Sequence, residues 1–156
     1  MFFRIICRMT RRVGVITGSR ADYGFLKWVM RSIEDQQGLS LHIIVTGMHL
    51  EDAQGKSVSE ITNDDFDITA FVPIHSAKVT DDASSDIFAR CVASMGQTLQ
   101  DCGIDVVVVL GDRLEALASS VAAYLANIPI AHIHGGESTD GSQDNGFRDA
   151  ITQLAT

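Results

Sequence analysis

The stretch Ile104-Asp105-Val106-Val107-Val108-Val109-Leu110 runs straight into Gly111-Asp112-Arg113-Leu114-Glu115. Its continuous β-branched run has no polar face. That predicts a strand buried on both sides, as in the interior of a parallel sheet. Glycine ends the run, and charged residues then open an Ala-rich helical pattern from Arg113 to Ala126. Parallel neighbours need crossover connections, which helices supply.

The same alternation extends outward in both directions. Upstream, Val13 to Thr17 predicts a strand, and residues 22–36 carry Leu26, Val29, Met30 and Ile33 at helical spacing before Gly38. Leu39 to Thr46 predicts a second strand stopped by Gly47, with a short helix at 57–63 and a strand at 68–74 after it. A long helix is expected over 82–102, opened by the capping types Asp81, Asp82, Ser84 and Ser85 and closed by Gly103. Downstream, Ile128 to His134 predicts a fifth strand, residues 135–146 a polar loop and residues 147–156 another helix. The fold class expected is α/β, a Rossmann-like doubly wound parallel sheet with right-handed crossovers. No linker divides it, so residues 9–156 form one expected domain. Met9 is the expected start, with residues 1–8 an extension. The last helical pattern has no terminating signal, so a carboxy-terminal domain is expected to be missing.

Composition removes several function classes. The formal net charge is −8, which does not suit a nucleic-acid backbone. Cys7, Cys91 and Cys102 are odd in number and lack C-x-x-C spacing. Neither a disulfide framework nor a thiolate metal site is expected, and a reducing cytoplasm is the simplest compartment. No apolar run approaches the roughly 20 residues of a membrane-spanning helix, and the first eight residues make a poor signal peptide.

Ligands of open α/β sheets bind beyond the carboxyl ends of the strands. Here four of the five strand exits pair glycine with charged or imidazole groups. They are Gly18-Ser19-Arg20-Ala21-Asp22, Gly47-Met48-His49, Gly111-Asp112-Arg113-Leu114-Glu115 and His134-Gly135-Gly136-Glu137. Gly18 and Ser19 lead into a helix N-terminus, where Arg20 could contact a phosphate or sugar oxygen, or Ser19 and Asp22 could merely cap. The segment is neither a dinucleotide fingerprint nor a Walker loop. Asp112 reads either as a cap or as a positioned acid or base. Glu137 and Asp144 flank a polar loop and could complete an acid–base set with Asp112, or be solvated loop residues. His132 and His134 share one strand face without a convincing third ligand, so no metal is expected. His132 suits a satisfied core position and His134 a ligand contact. His42 and His75 read as structural or surface residues.

Taken in order, five blocks resemble the hydrolysing UDP-N-acetylglucosamine 2-epimerases of sialic and related nonulosonic acid synthesis. They are Thr17-Gly18-Ser19-Arg20-Ala21-Asp22-Tyr23-Gly24, Val45-Thr46-Gly47-Met48-His49-Leu50, Gly111-Asp112-Arg113-Leu114-Glu115, His132-Ile133-His134-Gly135-Gly136-Glu137, and Asp144 with Arg148 and Ala150-Ile151-Thr152. The resemblance implies the amino-terminal half of a two-domain glycosyltransferase-B-type fold. The implied reaction takes UDP-N-acetylglucosamine and water to N-acetylmannosamine and UDP, by elimination to a 2-acetamidoglucal and hydration. It implies Asp112, Glu137 and Asp144 as catalytic carboxylates. Arg20, Arg113, Glu115, His134 and His49 are the implied substrate-binding residues, and Arg148 holds the loop. It implies a UDP-sugar partner, no cofactor, no membrane or nucleic acid, association into oligomers, and little activity without the carboxy-terminal domain. Two departures stand out: His134 lies where related epimerases often have Glu, and Asp149 where the pattern has His. The competing expectation is a non-catalytic sugar-nucleotide-binding or interaction domain.

Overall fold

The computed structural model describes residues 10–51, 57–74, 83–138, 140–141 and 144–155. The strands are β1 (Arg11–Thr17), β2 (Leu39–Thr46), β3 (Ile68–Val72), β4 (Val106–Leu110) and β5 (Ile130–Ile133). The helices are α1 (Arg20–Glu34), α2 (Val58–Asn63), α3 (Ser84–Asp101), α4 (Leu114–Leu125) and α5 (Asn145–Leu154). The five strands form one sheet in the order β3-β2-β1-β4-β5, every pair parallel. This is the expected Rossmann-like doubly wound α/β fold.

Alternation along each strand sends side chains to two cores, one on each face. Val13, Val15, Ile43, Val45 and Val108 meet Leu26, Met30 and Ile33 of α1 and Ile61 of α2. Ile16, Ile44, Val107 and Val109 meet Met95 and Leu99 of α3, the alanines of α4, and Ile151 of α5. Burial on both faces explains why the β4 sequence carries no polar alternation. Helix α1 begins where Ser19 caps it, its Oγ accepting from the Asp22 N–H at 3.3 Å. Gly38, at φ +83°, turns the chain from α1 into β2.

Some boundaries differ from the sequence expectation. The fifth strand is shorter than 128–134 because the left-handed residues Asn127 (φ +56°) and His134 (φ +60°) bracket it. The third strand stops at Val72, before Pro73. Residues 47–50 form a short 3-10 turn that hydropathy did not signal. Helix α5 starts at Asn145, two residues earlier than expected. The extension at residues 1–8, the caps Asp81 and Asp82, and His75 lie outside the described residues. Among the described residues no helix is long and apolar enough to cross a membrane.

Because all strands run in parallel, the segments after β1, β2, β4 and β5 leave the same edge. The chain moves from β1 to β2 and β3 on one side, then returns to β4 and β5 on the other. The switch point therefore lies between the β1 and β4 exits, where Gly18–Arg20 and Gly111–Arg113 stand side by side.

Packing makes a direct prediction. Leu26 is fully buried in the α1 core, whereas Trp28 is 70% exposed. Leu26→Ala is expected to cost about 2–5 kcal/mol in urea unfolding, and Trp28→Ala no more than about 0.5 kcal/mol.

Candidate functional site

At the centre of the edge, backbone approaches side chain too closely for any residue but glycine. A Cβ on Gly18 would lie 2.5 Å from Glu115 Oε1. One on Gly47 would lie 2.8 Å from the Gly18 carbonyl oxygen and 3.0 Å from Glu115 Oε1, and Gly47 also holds φ +58°. The Glu115 carboxyl thus fills the space beneath both glycine loops. Its Oε1 is buried and has no hydrogen-bond partner among the described residues. Burial pushes the Glu115 carboxyl above its ordinary pKa, Arg113 opposes this, and Asp22 and Glu51 add to it.

His49 completes this lower tier. It is fully buried, with Nε2 2.9 Å from Thr17 Oγ1 and Nδ1 2.7 Å from Ser57 Oγ. Its backbone N–H donates to the Gly18 carbonyl at 3.3 Å. Burial pushes the imidazole pKa down, favouring the neutral ring. His49 and Glu115, expected from sequence as substrate contacts, pack beneath the β1 and β2 exits.

Above them lies a ring of charge. Arg113 Nε is 3.6 Å from Asp22 Oδ1, and its guanidinium also meets Met48 Sδ at 3.3 Å. Burial raises the Asp22 pKa, opposed by the Ser19 hydrogen bond and by Arg113. Arg20, whose side chain is largely exposed, pairs with Glu60 of α2 at 2.8 Å. Asp112 pairs with Arg148 of α5. Arg148 is nearly buried, so its charge is directed at Asp112 rather than spread into solvent. The Asp112 side chain keeps 23% exposure, which leaves a carboxylate both oriented and reachable.

The β5 exit carries the remaining candidates. His134 Nδ1 lies 3.3 Å from Glu137 Oε2, both side chains well exposed. The His134 ring also tilts against Phe25 of α1, with centroids 5.7 Å apart. Asp144 is the N-cap residue of α5, where no side-chain cap bond forms. His132 is engaged at both nitrogens, Nε2 with the Gly111 carbonyl at 2.7 Å and Nδ1 with Thr152 Oγ1 at 3.1 Å. Among the described residues no group of three or more His, Cys, Asp or Glu is placed to hold a metal ion.

The structure thus brings Asp112, Arg113, Glu115, Arg20, His49, His134, Glu137 and Asp144 to one edge, in two tiers. Sequence reasoning gave Asp22 only a capping role, quoted Thr152 within a matching block without assigning it one, and passed over Glu51. Asp22 could have been found by its helix-start position beside Arg20. Thr152 carried no local signal, because its partner His132 is 20 residues away.

Comparison with known proteins places the chain in a family and a fold. Residues 31–156 match the family model described as UDP-N-acetylglucosamine 2-epimerase. The chain is 36% identical over 147 residues to the UDP-N,N'-diacetylbacillosamine 2-epimerase (hydrolyzing) of Legionella pneumophila, covering 94% of this chain and 39% of the relative. It is 33% identical to an Escherichia coli polysialic acid biosynthesis protein, covering 93% of this chain and 37% of that one. In fold it is similar to the UDP-GlcNAc 2-epimerase of Neisseria meningitidis solved with UDP-GlcNAc bound. The TM-score there is 0.79 and the identity 18%, covering 92% of this chain and 38% of that chain. The chain thus spans well under half the length of the proteins it matches.

The buried Glu115 carboxyl predicts a pH signature. Its folded pKa is raised, so its contribution to stability is complete below the unfolded glutamate value. That contribution is lost as pH rises through the folded value. Glu115→Gln removes this dependence. Urea midpoints of the two proteins should therefore diverge from pH 4 toward pH 7 in favour of the variant. Parallel curves would place the carboxyl in solvent.

Proposed function

The chain belongs to the UDP-N-acetylglucosamine 2-epimerase family, and from that premise we propose that it forms the sugar-side half of the cleft of a hydrolysing epimerase. The substrate is a UDP-linked 2-acetamido sugar, UDP-N-acetylglucosamine or a diacetamido relative, destined for sialic or another nonulosonic acid. The observation that carries this reading is Asp112, a partly open carboxylate at the switch point with a nearly buried arginine aimed at it.

Elimination of UDP requires a base at the weakly acidic C2 proton and compensation of charge on the departing diphosphate. Hydration of the C1=C2 bond then needs an acid that returns a proton to C2 on the face opposite the one deprotonated, while the hydroxyl of water adds at C1. Asp112 is the oriented carboxylate of the set, held by its pairing with Arg148. Glu137 and Asp144 supply the second proton-transfer group, with His134 beside Glu137 at 3.3 Å. Arg20 and Arg113 offer cations near the N-terminus of α1, suited to phosphate or sugar oxygens. Glu115 and His49 act on the substrate indirectly, through the glycine loops they support. The remaining contacts to UDP belong to residues that this chain does not contain, a reading supported by its covering 39% of the Legionella relative. On this reading turnover needs a second domain that completes the cleft, and the compartment is the cytoplasm, where nucleotide sugars are made.

A completed protein tests this, with residues 10–155 replacing the matching segment of the Legionella relative. It should release UDP from a UDP-2-acetamido sugar, and this chain alone should not. Asp112→Asn is expected to lower kcat roughly 100-fold or more while a cooperative thermal melt is retained. Full turnover by that variant removes Asp112 from the chemistry. Sugar-nucleotide binding with no turnover in the completed protein selects the non-catalytic binding domain.

A further inference from the structure

We propose that His132 and Thr152 are positioning residues that hold the two loops bearing Asp112 and Glu137 in one fixed frame; this rests on the reading above that those carboxylates perform the chemistry. Neither residue was expected from sequence to act at the site.

The donor–acceptor order is set by the partners. His132 Nε2 lies 2.7 Å from the Gly111 carbonyl oxygen, which can only accept, so Nε2 carries the hydrogen. In the neutral ring Nδ1 is then an acceptor, and the Thr152 hydroxyl at 3.1 Å donates to it. Thr152 Oγ1 in turn accepts the Gly136 N–H at 3.2 Å. The result is a directed chain from the Gly136 N–H through the Thr152 hydroxyl and the His132 ring to the Gly111 carbonyl. In such a chain each bond polarises the next.

Both ends of the chain matter. Gly111 immediately precedes Asp112, and Gly136 immediately precedes Glu137. Gly111 holds φ +78° and Gly136 φ +72°. Glycine gives these turns their shape but leaves them free to move, so an external bond is what fixes each peptide plane. A histidine serving only to satisfy core packing has no reason to end on the Gly111–Asp112 peptide and, through Thr152, on the Gly135–Gly136 peptide one step before Glu137.

Two further observations agree. A Cβ on Gly135 would lie 2.7 Å from His132 Nδ1 and 3.1 Å from Thr152 Oγ1, so the loop passes directly over the His–Thr bond. Helix α5 also carries Arg148, four residues before Thr152 and on the same face, and Arg148 pairs with Asp112. Ile151, fully buried, anchors α5 between them. One helix face therefore grips Asp112 directly through Arg148. It grips the Gly111 and Gly136 peptides through Thr152.

The test has a structural arm and a kinetic arm. In nitrogen-15 NMR of this chain, His132 should be the Nε2–H tautomer. Thr152→Val removes the hydroxyl with little change of shape. It should speed Gly136 amide exchange by about tenfold, the worth of one hydrogen bond, and move the His132 Nδ1 resonance. Thr152→Ser should restore both. In the completed protein Thr152→Val should lower kcat by about tenfold or more with KM changed by less than about twofold, again with rescue by Ser. Gly135→Ala should reproduce the valine result by intrusion on the same bond. Unchanged Gly136 exchange and His132 signals in Thr152→Val overturn the proposal, as does a broken link with kcat intact. Full turnover by Asp112→Asn with both NMR signals in place would instead sink the catalytic assignment.

Discussion

Parallel pairing of β1 with β2 on one side and with β4 on the other is the constraint that creates the site. Parallel strands deliver every subsequent segment to the same edge. Reversal of the winding at β1 opens a crevice there instead of closing it with a crossover. The register places Thr17 beside Val45 and Val15 beside Val108, so the loops leave at nearly one level. Without this arrangement Arg20, Asp112 and Glu137, far apart in the chain, would share no surface.

The edge is built in two tiers with different electrostatics. Below, Glu115 and His49 are packed among Gly18, Gly47, Thr17 and Ser57, where burial works against charge on both. Above, Asp112, Arg113 and Arg20 keep contact with solvent and with opposite charges, and Glu137 lies exposed beside His134. The lower tier fixes loop shape through contacts that tolerate no Cβ at Gly18. The upper tier keeps charged groups open to solvent. Such a division lets the loops be glycine-rich without being slack, because the conformational freedom of glycine is removed by the side chains packed beneath.

Helix α5 binds the far side of the crevice to the rest of the fold. It contributes one buried isoleucine to the core, one arginine to Asp112 and one threonine to His132. Every partner lies at the exits of β4 and β5, so the helix works as a clamp across two loops. The polar residues on its inner face are spaced by one turn, which is why a single rigid element can serve both.

The strand–helix order, the double burial of the central strand and the sheet edge that gathers the charged, glycine-flanked exits were legible in the sequence, because they depend on periodicity and on the residue types at the end of each apolar run. The run Val106–Leu110 announced a doubly buried strand, and Gly111-Asp112-Arg113 announced a charged strand exit. Side-chain direction at that exit was not legible. Asp112, Arg113 and Glu115 are near neighbours in sequence, yet one meets α5, one meets α1 and one turns under the glycines. His132, Gly111, Thr152 and Gly136 are likewise joined only by the crossover that lays α5 across the β5 exit. The amino-acid order determines which groups reach the edge, since that is a matter of local hydropathy and chain direction. The tertiary structure alone decides which of them are buried as braces and which stay open, since burial and partner choice depend on residues distant in the chain.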